Sequence, residues 1–328
     1  MRIALIAAGA LPIPPPDWGA VEVTLWQRKV RLERLGHRVD VYNTRMIHNV
    51  IHEINGGAYD FVHCHNELFA AHCNAHLKQP YVVTTHFGGL HRFRPNGERG
   101  RQYASFEYLF RDCLDAPGNI VLSEPIRHLF QDAGYAGFLR TLRNAVEYED
   151  FRAAPRGNGR AICVGMIQPR KRQAWLANAV AGCTGVDFVG PWDRHREATF
   201  KENDSARYLG VWTRRDVHER LADYSCLVML SESEAAAPKV VLEALAAGLN
   251  VVVTEACTAN LTTQPFITVF PDDALRAESV VQAIERAIRD NESMRPSIRA
   301  YATASFGYDV QVSQYLELIH QFRSYVGR

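Results

Sequence analysis

Short apolar runs alternate with longer amphipathic stretches along most of the chain. This alternation is typical of βαβ units around a parallel sheet, and it predicts the α/β class. In the first half the pattern predicts a helix over 21–35. The apolar runs of this half predict six strands, at residues 2–8, 38–42, 61–63, 81–85, 120–122 and 142–143.

A polar, glycine-rich segment at 153–160 interrupts the pattern and predicts a linker between two domains. Apolar residues at helical spacing predict a terminal amphipathic helix over 308–322. Between these segments the pattern predicts strands at 161–164, 187–189, 226–230, 251–254 and 267–270, and helices at 171–181, 214–222 and 239–247.

These elements predict two Rossmann-like domains, at 1–152 and 153–304. The remaining segment, 305–328, is expected to be a helix that packs back on the N-terminal domain. Ligands of such folds bind beyond the carboxyl ends of the parallel strands. We therefore expect the active site in an interdomain cleft, where the strand-to-helix loops of two facing sheets meet.

Composition and charge narrow the class of ligand and the compartment. The 37 basic and 36 acidic side chains nearly cancel, so no nucleic-acid partner is expected and small molecules are favoured. The N-terminus is unlike a signal peptide, and no apolar stretch reaches the roughly 20 residues of a transmembrane helix. Seven cysteines without a CxxC pair predict reduced thiols. The cytoplasm is therefore the expected compartment, and peripheral attachment to a membrane stays open.

The most informative stretch runs from 230 to 238 into a predicted helix that ends at Gly248. Backbone N–H groups at the start of that helix, around Pro238 and Lys239, can bind a diphosphate, and the helix dipole favours its negative charge. Glu243 lies one turn further on and can accept hydrogen bonds from a ribose diol. The stretch therefore predicts a nucleotide-binding site.

Here the sequence resembles the retaining glycosyltransferases of family 4, whose Glu-Ala-x-Ala-x-Gly run is matched by 243–248. The resemblance implies a GT-B fold and a nucleoside diphosphate sugar as donor. In the family two glutamates lie seven residues apart, the first contacting the donor sugar and the second the ribose. The first position is Ala235 in this chain, and Glu234 precedes it by one residue. Glu234 is therefore a catalytic candidate only if the loop has an extra residue, and otherwise it has another task.

A basic segment at 164–172 is the second match to the family. Cations at a strand end can bind diphosphate oxygens. The segment is similar to the family's Gly-Arg followed by Lys-Gly, with Gly165 at the glycine and Lys171 at the lysine. Met166 replaces the usual arginine, so Arg170 or Arg172 would have to supply the missing charge. Gly165, Lys171 and Arg170 are the predicted donor-binding residues here.

A glycine-containing loop opens the first long helix. Family members have such a loop against the donor phosphates and sugar, and Gly19 and Ala20 match it; glycine lets the backbone approach a ligand closely. Glu22 is a candidate acceptor-binding residue. Its alternative interpretation is an ordinary first-turn glutamate favoured by the helix dipole.

Histidines follow two apolar strands of the first half, in the segments 60–66 and 84–89. Both segments resemble strand ends that contact acceptor or donor sugar in the family. His63 and His65 are the predicted acceptor-binding residues. His86 is a catalytic candidate, since imidazole can donate or accept a hydrogen bond near neutral pH. The alternative for His86 is a hydrogen bond that only orients its loop.

Metal binding is the less favoured interpretation of the histidines. His63, His65, His72 and His76, with Cys64 and Cys73, are ligand types that zinc prefers. No matching carboxylate or CxxC pair completes a recognised site. We predict no metal and no cofactor other than the nucleoside diphosphate sugar that serves as co-substrate.

The segments Ser123-Glu124 and 143–147 extend the resemblance, so that it spans both predicted domains. It implies transfer of a sugar, with retention and without a metal ion, to a glycan or another hydroxyl acceptor. The departures at Met166 and Ala235 keep a catalytically silent sugar-nucleotide or glycan-binding module open, and a nucleotide-sugar epimerase or hydrolase is a second alternative. A dinucleotide-dependent dehydrogenase is excluded because no GxGxxG follows the first strand of either half.

Overall fold

The computed structural model describes residues 1–86, 110–192 and 199–327. The chain divides into two compact units. The first comprises Met1–Pro15, Gly19–Asn144 and Tyr308–Arg328, and the second comprises Pro16–Trp18 and Ala145–Gly307. Each unit contains one parallel six-stranded sheet with helices, which confirms the predicted α/β class.

The sheet of the first unit has the strand order β2-β1-β3-β4-β5-β6. Its strands are β1 Arg2–Ala7, β2 Arg38–Asn43, β3 Phe61–Cys64, β4 Val82–Val83, β5 Gly118–Val121 and β6 Phe138–Thr141. The strand order reverses direction at β1, which lies between β2 and β3. All pairs are parallel, so the residues that follow β1, β3 and β4 lie at one edge of the sheet. Ligands of open α/β sheets bind at this edge.

The helices that connect these strands include α1 Ala20–Arg34, α2 His48–Gly56, α3 Ala70–His76 and α4 Glu124–Asp132. Helix α1 packs Leu25 and Leu32, two turns apart, into the core that contains Ile3 and Leu5 of β1. Arg28 lies on the same face of α1 and is also buried. A cation therefore occupies a position that the helical spacing assigns to the core.

The sheet of the second unit has the order β12-β11-β10-β7-β8-β9. Its strands are β7 Ala161–Val164, β8 Val186–Val189, β9 Ala206–Tyr208, β10 Cys226–Met229, β11 Asn250–Thr254 and β12 Ile267–Phe270. Along β10, Leu227 and Met229 belong to one hydrophobic cluster, whereas Cys226 and Val228 belong to another. Because both faces are covered, the strand is apolar at every position.

The described helices of the second unit are α5 Gln173–Ala179, α6 Arg214–Arg220, α7 Lys239–Ala247 and α8 Ala277–Phe306. Helix α7 ends at Gly248, whose φ of 87° is the left-handed conformation that commonly terminates a helix. The 30-residue helix α8 packs on α7 and β11. It was not predicted from the sequence, nor were α2, α3, α4 and β9.

The terminal helix α9, Tyr308–Val326, belongs to the first unit. Its apolar face buries Tyr315 and Phe322 in the core of the first sheet, and the rings of Phe322 and Phe61 lie 5.7 Å apart. The helix predicted at 308–322 is confirmed and continues for four further residues.

The strand predicted at 142–143 is wrong. The last strand of the first sheet is instead β6, where Phe138 to Thr141 pair with Gly118 to Val121 of β5. Only the N–H of Leu142 continues the pairing, to the carbonyl of Val121. Leu139 and Leu142 are both buried, so apolar character did not show which segment pairs with β5.

Candidate active site

The second unit presents two loops at the point where its strand order reverses. One follows β7, at residues 165–172, and the other follows β10, at residues 230–238, and these two strands are neighbours in the sheet. Gly165 has a φ of 145°, and a Cβ there would lie 2.7 Å from Nζ of Lys171. The glycine therefore lets the Lys171 ammonium group approach the backbone at the strand end.

The Nζ atom of Lys171 has no hydrogen-bond or ion-pair partner among the residues that the structure describes, whereas its backbone N–H donates to the carbonyl of Gln168. The Lys171 charge interacts electrostatically with the buried Cys163 thiol. Burial raises the pKa of Cys163 to about 12, and Lys171 opposes this rise. An uncompensated ammonium group at the ligand-binding edge of the sheet is suited to an anionic ligand.

Arg170 and Arg172 flank Lys171, and both contact the acidic loop that follows β10. Arg170 donates through Nη1 to Oε1 of Glu234 at 2.8 Å and to Oγ of Ser231 at 2.9 Å. Arg172 donates through Nε to Oε1 of Glu232 at 3.3 Å. Arg170 and Arg172, the two cations predicted to supply the charge missing at Met166, thus bind protein carboxylates.

Glu234 is placed by this contact with Arg170, and its side chain is 15% exposed. Ala235, which stands at the family's glutamate position, is buried together with Ala236 and Ala237. The carbonyl of Ser231 accepts a hydrogen bond from Oγ1 of Thr254 at 2.5 Å. The acidic loop is therefore fixed by polar contacts along much of its length.

Pro238 precedes the first residue of α7, and no side chain caps this helix end. Lys239 contributes its backbone to the first turn, whereas its ammonium group is turned inward. The Nζ atom lies 2.9 Å from Oε2 of Glu147 and 3.2 Å from the carbonyl of Ala145. The start of α7 can therefore bind an anion through its backbone N–H groups, whereas the Lys239 ammonium group pairs with the buried Glu147 carboxylate.

A buried ionic cluster lies beside α7 and consists of Glu147, Arg214, His218, Lys239 and Glu243. Arg214 links the two glutamates: Nη2 donates to Oε1 of Glu147, and Nη1 donates to Oε1 of Glu243 at 2.7 Å. The Oε2 atom of Glu243 has no hydrogen-bond partner in the described part of the chain. That oxygen is available to a ligand hydroxyl.

The charges of this buried ionic cluster determine its protonation. Burial alone would raise the pKa of Glu147, but Lys239, His218 and Arg214 keep it well below its ordinary value. Burial would lower the pKa of Arg214, and the two glutamates instead raise it. The pair is therefore ionised at neutral pH, as a hydrogen-bonded buried pair must be to repay its desolvation.

The first unit brings together the histidine cluster, which we define as Arg28, His63, His65, Thr84, His86 and Tyr315. His63 and His65 are two residues apart on one strand, so they point to the same face, and their ring centroids are 3.8 Å apart. His63 is fully buried between Oγ1 of Thr84, at 2.7 Å, and the hydroxyl of Tyr315, at 2.8 Å. Both of its ring nitrogens thus contact protein groups, although it was predicted to bind the acceptor.

His65 lies between Arg28 and His86. Its Nε2 is 3.2 Å from Nη1 of Arg28, and its Nδ1 is 3.2 Å from Nε2 of His86. Burial and the Arg28 charge lower the pKa of His86 to about 3, and burial with neighbouring charges lowers the pKa of His65 well below 6.5. Both rings are therefore neutral at physiological pH. Phe87, Gly88 and Gly89 of the predicted motif lie outside the described residues.

Gly19 precedes helix α1 and has a φ of 139°. L side chains rarely adopt this φ, so the loop favours glycine, and a Cβ there would also lie 2.8 Å from Oε2 of Glu22. Ala20 begins the helix, and its carbonyl accepts a hydrogen bond from Oγ1 of Thr24. Burial raises the pKa of Glu22, whose carboxylate is turned toward Gly19.

Two family models match the chain. The model described as Glycosyltransferase Family 4 matches residues 13–150, and the model described as Glycosyl transferases group 1 matches residues 158–290. Together the two ranges cover most of the sequence. The chain belongs to these glycosyltransferases. No curated protein sequence gives a significant match.

Solved structures share the fold of this glycosyltransferase at low sequence identity. Sucrose-phosphate synthase from Thermosynechococcus elongatus matches with a TM-score of 0.78 and 16% identity over 98% of this chain and 99% of that chain. Anabaena HepE in complex with UDP and glucose matches with a TM-score of 0.74 and 15% identity over 98% of this chain and 100% of that chain. WaaG, a glycosyltransferase involved in lipopolysaccharide biosynthesis, matches with a TM-score of 0.70 and 15% identity over 97% of this chain and 99% of that chain. The predicted GT-B fold is confirmed.

Sequence reasoning missed residues that contact the candidate site residues within each unit of the glycosyltransferase. Arg214 joins Glu147 and Glu243, which are far from it in sequence. No local motif marks that contact. Arg28, by contrast, lies between Leu25 and Leu32 on the apolar face of α1. Its burial could have been predicted from this spacing in the sequence.

Two findings bear on metals and membranes. In residues 1–86, 110–192 and 199–327, no three His, Cys, Asp or Glu side chains are grouped so that they could share a metal ion. The rings of His72 and His76 lie 5.3 Å apart at their centroids. None of the described helices is both long enough and apolar enough to span a bilayer.

Proposed function

We propose that this glycosyltransferase moves a hexose from a nucleoside diphosphate sugar to a hydroxyl acceptor, with retention of anomeric configuration and without a metal ion. The observation that carries the proposal is the Lys171 ammonium group at the end of β7. It lies over Gly165 and has no partner among the described residues. The family match and the strand-order reversal support a ligand at this position.

The leaving group in this reaction is the nucleoside diphosphate. As the bond between the anomeric carbon and the diphosphate oxygen breaks, negative charge grows on that oxygen, and the acceptor oxygen forms the new bond. Lys171 and the backbone N–H groups at the start of α7 are positive groups fixed before the reaction, and such groups stabilise developing charge. Oε2 of Glu243 accepts from the ribose diol.

The remaining predicted residues receive narrower roles in this proposal. Arg170 positions Glu234, and the Glu234 carboxylate contacts donor-sugar hydroxyls. In the first unit, Gly19 and Ala20 let the backbone approach the donor, and Glu22 and His65 belong to the acceptor side. His86 contacts the reacting sugar or the acceptor hydroxyl. No side chain is assigned as a covalent nucleophile.

Two further features complete the proposal. HepE was solved in complex with UDP-glucose, which makes UDP-sugars the first donors to test. All seven cysteines are free thiols and six of them are buried, which supports a cytoplasmic enzyme. The acceptor is a glycan or another hydroxyl compound, and no nucleic acid takes part.

Thermal unfolding in the presence of UDP, GDP, ADP, CMP or dTDP tests the donor site. A ligand at 100 times its Kd adds about 2.7 kcal/mol to stability, which we expect to raise the Tm by about 5–10 °C. One nucleoside diphosphate should give this rise with EDTA present.

The Glu243→Gln variant should show a smaller ligand-induced rise, since its ribose contact is weakened. The matched control is Glu285→Gln, because Glu285 is an exposed residue of α8. Each rise is compared with the same variant without nucleotide, so a loss of intrinsic stability does not affect the result. No rise with any of the five at millimolar concentration would contradict the proposed donor site.

A further inference from the structure

Arg28 is a buried cation without a carboxylate partner in the described part of the chain. Arg28 is 3% exposed, and its guanidinium carbon lies 4.2 Å from the centroid of the Tyr315 ring. Nε has no hydrogen-bond partner among the described residues, and Nη1 contacts Nε2 of His65 at 3.2 Å. Placing a cation in a core costs free energy, and the ring of Tyr315 offsets only part of this cost. The contact with His65 therefore calls for an explanation.

The chemistry of arginine determines the direction of this hydrogen bond. A guanidinium group carries only donors, so the His65 nitrogen that faces it must be the acceptor. His65 is neutral in this surrounding, and a neutral imidazole has one protonated and one unprotonated nitrogen. Nε2 is the unprotonated one, and the proton is on Nδ1.

The tautomer of His65 determines that of His86. The protonated Nδ1 of His65 faces Nε2 of His86 at 3.2 Å, so that nitrogen accepts the hydrogen bond. His86 is also neutral, and its proton is therefore on Nδ1. Its unprotonated nitrogen is occupied by His65, which leaves the protonated nitrogen as the polar group that His86 can offer to a ligand. His86 is partly exposed at the end of β4, whereas His65 and Arg28 are buried.

We infer that Arg28 and His65 are positioning residues that fix His86 in one tautomer, so that its Nδ1–H donates to an oxygen of the bound substrate. The inference rests on the proposed function for the identity of that substrate, a sugar or an acceptor hydroxyl. It makes His86 a hydrogen-bond donor and excludes it as the base that removes the acceptor proton. Tautomers set by a second group are a general means of orienting imidazole.

¹⁵N NMR of the full-length wild-type protein, labelled with ¹⁵N in the histidine rings, reads the tautomers directly. Long-range ¹H–¹⁵N correlations distinguish protonated from unprotonated ring nitrogens. We expect Nδ1 protonated and Nε2 unprotonated in both His65 and His86. His65→Asn and His86→Asn identify the two sets of signals by their loss. A proton on Nε2 of either ring, or on both nitrogens, would overturn the inference.

Substitutions of Arg28 add a kinetic test. Arg28→Met removes the donor, so we expect mixed tautomers in both rings and a kcat about 10- to 100-fold lower, with a smaller change in the donor KM. Arg28→Lys keeps a group that only donates, so it should restore the tautomers and most of kcat. The control is Arg34→Met, at an exposed position on the same helix, which should leave both unchanged.

The outcomes separate this inference from the proposed function. An Arg28→Met variant that folds and keeps the wild-type tautomers would overturn the inference whatever its activity. The expected tautomers in a protein that transfers no sugar would contradict only the proposed function. Normal transfer by a protein with the proton on Nε2 of His86 would contradict only the inference.

Discussion

Replacing Lys171 by methionine is expected to lower kcat for sugar transfer about 100- to 1000-fold, as removal of one preorganised donor to a developing anion does in other enzymes. Methionine is an unbranched side chain one atom shorter than lysine, and it removes the charge above Gly165. The nucleotide Kd should rise by a smaller factor, because charge on the diphosphate increases as the bond to the sugar breaks. Initial rates with saturating acceptor, together with nucleotide titration, measure both.

The control for Lys171 is Lys201→Met, which removes an exposed lysine from the same unit. It separates a local effect of Lys171 from a general effect of net charge on nucleotide binding. Both variants should melt within about 1 °C of each other without ligand, since the Lys171 ammonium group has no partner among the described residues. Equal kcat values in the Lys171 variant and the wild type would remove this residue from the site.

The Glu147→Gln substitution is expected to lower the free energy of unfolding by about 3–5 kcal/mol, the usual loss when one partner of a buried ion pair is removed. Glutamine leaves Lys239 and Arg214 near each other without the charge that compensates them. Denaturant unfolding at pH 7 measures the loss. The control is Glu219→Gln, an exposed i,i+4 pair with Arg215, which should change stability by less than about 1 kcal/mol.

The same cluster predicts how stability depends on pH. The pKa of Glu147 is well below 4.5 in the folded protein and near its ordinary value in the unfolded chain. The contribution of Glu147 is therefore fully present above that ordinary value and is lost as the pH falls toward the folded pKa. The wild type should lose stability over this acid range more steeply than Glu147→Gln. Parallel pH curves for the two proteins would contradict the assignment of the buried pair.

The sequence predicts well those features that depend on residues close together in the chain. The strands at 161–164 and 267–270 and the helix at 239–247 have the predicted limits, because each is a mainly apolar segment with a clear end. Helix α8 was missed although Val280, Ile284, Ala287, Asn291 and Arg295 form a buried face at helical spacing. Two polar side chains in that face weaken the apolar pattern, and they bind backbone carbonyls at Gly248 and Tyr224.

In the candidate site, too, the sequence predicts features within one loop but not contacts between distant segments. Gly165 and Lys171 are predictable because the glycine conformation and the lysine belong to one short loop. The partners of Arg170 and Glu243 were not predictable, since Glu234 and Arg214 are supplied by distant parts of the chain. The hydrogen bonds from Arg28 through His65 to His86 likewise join α1 to the ends of β3 and β4. Only the fold brings these groups together.

The central claim, retaining transfer from a nucleoside diphosphate sugar without a metal, is tested most directly by the stereochemistry of the product. The protein is incubated in EDTA with a hydroxyl acceptor and an α-linked donor sugar labelled with ¹³C at the anomeric carbon, and NMR reads the new linkage. We predict an α-linked product and an equal amount of released nucleoside diphosphate. A β-linked product, free sugar as the only product, or transfer that requires an added divalent ion would contradict the account.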